Sequence, residues 1–74
     1  MNIQNIYSII HKIMLELDET SFHMDMDEDG YQFQIGGDYY ISYDGYFTCS
    51  CDCPDEKERL ENILINHVGK ENIV

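Results

Sequence analysis

Two short stretches of this chain hold residue types that bind metals. Asp25-Met26-Asp27-Glu28-Asp29-Gly30 has the D-x-D-x-D-G order that opens an EF-hand calcium loop, in which alternate oxygen ligands surround a hard cation. Position twelve of that loop must supply a bidentate Glu, and here it is Gly36. Alternating Phe22, Met24 and Met26 also predict a strand where the motif needs a helix. The acids therefore read as the turn of a hairpin. The second stretch is Cys49-Ser50-Cys51-Asp52-Cys53. Thiolates two apart on a strand point to one side and could share a zinc ion with His67 or His11. Structural zinc sites favour a C-x2-C knuckle, however, and buried free cysteine is common. Cys49 and Cys51 read as small core residues on the face of Ile41 and Phe47, with Cys53 ending the strand. A metal-binding module built on either cluster is kept as an alternative, and the preferred reading has no metal and no cofactor.

Catalysis has no comparable motif. Acidic neighbours raise a thiol pKa, so the cysteines lack the environment of an activated nucleophile. With 15 Asp and Glu in 74 residues, carboxylate pairs occur at any separation and identify nothing. His11 reads as a helix-surface residue, His23 as a residue on the polar side of a strand and His67 as a partly buried helix residue. The expectation is that the chain is not an enzyme.

Charge is the more informative property. Fifteen acids face four Lys and Arg, for a formal charge of −11. Such a surface repels nucleic acid and anionic membrane and attracts basic proteins. The acids gather in Asp25, Asp27, Glu28 and Asp29, and again in Asp52, Asp55, Glu56, Glu58 and Glu61, with Glu16, Asp18 and Glu19 closing the first helix. Carboxylates in a last helical turn oppose the macrodipole, which points to a use for them beyond folding. Tyr40 and Tyr46 are expected opposite the core with Gln32, Gln34, Ser42, Thr48 and Ser50, giving aromatic anchors inside a charged rim. Asp25, Asp27, Glu28, Asp29, Tyr40, Tyr46, Asp55, Glu56 and Glu58 are the candidate partner-binding residues.

In size, charge, acidic clusters and plan, the chain resembles the small acidic inhibitors of phages and mobile elements, among them anti-CRISPR proteins and DNA mimics such as the uracil-DNA glycosylase inhibitor. The resemblance is one of class and assigns no residue roles. It implies an inhibitor that fills the nucleic-acid site of a basic enzyme, such as a CRISPR-Cas effector, in the host cytoplasm. An immunity protein or antitoxin against a basic toxin is the alternative, and a homodimer is left open. The absence of a basic n-region and a cleavage site after Met1, and of any apolar run near ~20 residues, agrees with a cytoplasmic protein. The odd cysteine count suits a reducing compartment.

These residues must be carried by one α+β domain, since 74 residues leave room for a single core. Ile3, Ile6, Tyr7, Ile10, Ile13, Met14 and Leu17 recur at helical spacing, with Asn2 or Asn5 as the cap. Period-two patterns follow from Phe22 to Cys51, broken at Asp29-Gly30, Gly36-Gly37-Asp38 and Asp44-Gly45. Matching like residues predicts a two-residue Asp29-Gly30 turn that pairs Met26 with Phe33. It also predicts a three-residue Tyr43-Asp44-Gly45 loop that pairs Ile41 with Phe47. A Gly36-Gly37-Asp38 loop would pair Ile35 with Tyr39. Pro54 begins a second helix, whose stripe is Leu60, Ile63, Leu64, His67 and Val68 and whose stop is Gly69. The expected order is α-β-β-β-β-α, with an antiparallel sheet and both helices on one of its faces.

Overall fold

The computed structural model describes residues 2–73. Helix α1 (Ile3–Leu17) is followed by strands β1 (Phe22–Met26), β2 (Tyr31–Ile35), β3 (Tyr39–Tyr43) and β4 (Phe47–Cys51), then by helix α2 (Pro54–Val68) and a 3-10 turn (Lys70–Asn72). The Asn2 side chain caps α1 by accepting the Asn5 N–H at 2.9 Å. The helix stops at Asp18, whose φ of 58° lies in the left-handed region. Pro54 opens α2 after Cys53, which adds no side-chain cap.

The strands form an antiparallel meander in the order β1-β2-β3-β4. Phe33, Ile35, Tyr39, Ile41 and Phe47 from the sheet join Ile6, Ile10, Ile13, Met14 and Leu17 of α1 and Leu60, Ile63, Leu64 and Val68 of α2 in one buried cluster. Both helices therefore lie on the same face, and the α+β plan expected from the sequence is the one found. Tyr7 closes the β1 side of the core, with its ring centroid 6.3 Å from Phe22 and 6.2 Å from Phe33. Across the helices, His67 meets the Glu16 carboxylate and Arg59 donates to the Glu16 carbonyl at 3.1 Å. Among the described residues, no helix is long and apolar enough to cross a membrane.

Two of the three hairpins are shifted from the expected register. Met26 pairs with Tyr31 and Met24 with Phe33, so the first turn is the four-residue Asp27-Glu28-Asp29-Gly30. A type I′ turn needs positive φ at both central residues, and neither Asp29 nor Gly30 is among the residues with positive φ. Gly30 serves a close approach instead: a Cβ there would sit 2.1 Å from the Tyr43 carbonyl oxygen. In the last hairpin Tyr43 pairs with Phe47 and Ile41 with Cys49, which moves the three-residue loop to Asp44-Gly45-Tyr46. Gly45, at φ 105°, supplies the positive dihedral the loop needs. The middle hairpin pairs Ile35 with Tyr39 as expected.

Each slip is two residues, so it preserves which side chains face the helices. Phe47 and Ile41 are buried, and Cys49 and Cys51 pack at the core margin. Met26 is the exception to its pattern. Beside the turn it is 68% exposed.

Candidate functional site

The face of the sheet away from the helices carries two cross-strand rows. One is Asp25-Gln32-Ser42-Thr48 and the other His23-Gln34-Tyr40-Ser50. Among the described residues, Tyr40 is the only Phe or Tyr in these rows. Its hydroxyl donates to Asp52 at 3.2 Å, with the Gly37 carbonyl a second acceptor at 3.3 Å. Local desolvation and then the Asp52 carboxylate push the Tyr40 phenol above its ordinary pKa. Tyr46 does not belong to this face, contrary to the sequence expectation. The shifted hairpin places it in the β3–β4 loop, where it is 55% exposed.

A meander puts alternate turns at the same end of the sheet. The Asp27–Gly30 and Asp44–Tyr46 turns share one end, where Asp27, Asp29, Gly30, Tyr43 and Asp44 line an open hollow of about 240 Å³. Asp44 was missed by sequence reasoning that weighed only runs of acids. The strand count would have found it, since the first and third turns of any four-stranded meander are neighbours. Asp38, Asp52 and the start of α2 lie at the other end. The acidic turn and the acidic helix start are thus separated by the length of a five-residue strand, roughly 15 Å.

The nine candidate residues do different things. Asp25 is exposed and sits 3.2 Å from the His23 imidazole. Glu28 and Asp29 are exposed in the turn. Asp27 is part of the architecture, because its Oδ1 accepts the N–H groups of Asp29 and Gly30, both at 2.9 Å. Glu56 lies 3.3 Å from the Arg59 guanidinium and receives a long 3.5 Å bond from the Tyr39 hydroxyl. Burial, and after it the Glu56 charge, raise the pKa of that phenol. Asp55 and Glu58 share a cleft between the helices with Glu16 and Arg59. Among the described residues, Arg59 therefore pairs with an acid of α2, and no Lys or Arg pairs with those of the sheet.

Cys49, Cys51 and Cys53 are free thiols, and Cys51 Sγ accepts the Cys53 N–H at 3.3 Å. Desolvation, and then Glu61, raise the Cys49 pKa above its ordinary value, the reverse of an activated thiolate. Among the described residues, no three His, Cys, Asp or Glu side chains come together to hold a metal ion. No protein-family model, curated protein or solved structure matches the chain.

Proposed function

We propose that this chain is a non-catalytic acidic inhibitor that binds a basic, nucleic-acid-handling protein in the cytoplasm of its host cell and occupies the nucleic-acid site. The observation that carries this reading is one-sided charge. From Phe22 to Asp52 the chain holds Asp25, Asp27, Glu28, Asp29, Asp38, Asp44 and Asp52 and no Lys or Arg. Lys12, Lys57 and Arg59 are on the helices and Lys70 is in the final turn. The strands and their turns thus present carboxylates with no Lys or Arg of their own, and a basic groove that accepts phosphates accepts such an array by the same long-range attraction.

Capture of partners from host lysate on the immobilised chain, followed by mass spectrometry, tests the reading. The captured protein should be basic, and adding the free chain should displace labelled nucleic acid from it. A basic toxin that binds no nucleic acid would assign the chain to immunity instead. A partner that keeps its nucleic acid while the chain is bound would exclude mimicry.

A further inference from the structure

The two outer edges of the sheet differ. Ile73 bridges Phe47 in parallel, so the C-terminal segment covers the start of the β4 edge. Among the described residues, no strand pairs with the outer edge of β1. The ladder fixes what that edge offers. Gly36 N–H donates to the Ser21 carbonyl and Asp27 N–H to the Gly30 carbonyl, each at 3.0 Å. By antiparallel alternation Ser21, His23, Asp25 and Asp27 bond inward to β2, while Phe22, Met24 and Met26 turn their backbone N–H and C=O outward.

Side chains sort along the same edge. On the helix side lie Met26, 68% exposed, and Phe22, which with Leu15 of α1, 80% exposed, lines an apolar hollow of about 350 Å³. On the open side lies Asp25, next to the acidic turn. An unpaired strand edge of this kind is a template for another strand. We propose that β1 receives an extended segment of the basic partner as a fifth strand, with apolar residues set toward Leu15, Phe22 and Met26 and Lys or Arg set toward Asp25 and the turn. Charge decides the occupant, because a second copy would bring two chains of charge −11 together at Asp25 and Asp27. The inference rests on the reading of a basic partner and adds where and how it docks.

The test uses three synthetic peptides: one alternating Lys and Val, one of the same composition with the Lys and Val in separate blocks, and the alternating one N-methylated at every second amide. The alternating peptide should slow hydrogen exchange at the Phe22, Met24 and Met26 amides. Met26→Pro removes an outward N–H and no inward bond, and it should weaken that peptide about tenfold. Equal affinity for all three peptides, or binding without protection of those amides, overturns edge docking and leaves the charge reading standing. Failure of every peptide to bind even at low salt counts against both. Protection that grows with the concentration of the chain alone would assign the edge to a second copy and overturn the proposal.

Discussion

The Oδ1 atom of Asp27 accepts two backbone N–H groups, so the carboxylate that heads the acidic turn also closes it. Asp27→Ala should cost ~1–2 kcal/mol in urea denaturation, as two modest hydrogen bonds are lost. Asp27→Asn keeps an acceptor oxygen and should recover most of that. Equal losses in the two variants would mean that charge, not the acceptor, holds the turn. For the same reason, charge reversal used to probe binding belongs at Asp25, Glu28 and Asp29, whose side chains accept no bond that closes the turn.

Cys49 gives a second test at this scale. Its thiol is pushed above the ordinary value of 9.0 by desolvation and then by Glu61, so the folded chain favours the protonated form. This contribution to stability is complete below that value and is lost as pH rises toward the folded pKa, because the unfolded thiol ionises first. Alkylation followed by mass spectrometry between pH 7 and 9 should modify exposed Cys53 well before Cys49. Modification of Cys49 first would contradict its placement at the core margin.

Among the elements, faces were legible, and the offset was legible in the middle hairpin but not in the outer two. Side-chain alternation fixes parity, so the sequence places Ile41 and Phe47 on the core face, and they are buried. A slip of two residues preserves parity, and the pairs it exchanges are alike: Met26 against Phe33 or Tyr31, Ile41 against Phe47 or Cys49. Gly30 lies against the Tyr43 carbonyl, where the β2–β3 register continues past Tyr31 and Tyr43. Gly30→Ala should therefore lower the melting temperature by at least about 5 °C, the scale of one kcal/mol in a domain this small. An unchanged melting curve would show that the two turns do not touch. The candidate site was legible to the same degree. Its acids were visible as runs, but their division into an uncompensated sheet side and a helix side containing Lys57 and Arg59 depends on the fold.

For the whole molecule, the property that matters is its electrostatic field. A chain of charge −11 with its cations confined to the helices and the last turn should attract a basic groove sheet-first. Steering of this kind raises association rates by about 10- to 1,000-fold at low ionic strength, and salt removes the gain. The most direct measurement is the association rate with the captured partner across a salt series, for the parent chain, for Asp25, Glu28 and Asp29 all changed to Lys, and for Asp55 and Glu58 changed to Lys. The sheet-side variant should associate at least about tenfold more slowly at low salt and lose most of its salt dependence, with the helix-side variant much closer to the parent. A sheet-side variant that keeps its fold and associates as fast as the parent at both low and physiological salt would contradict the account.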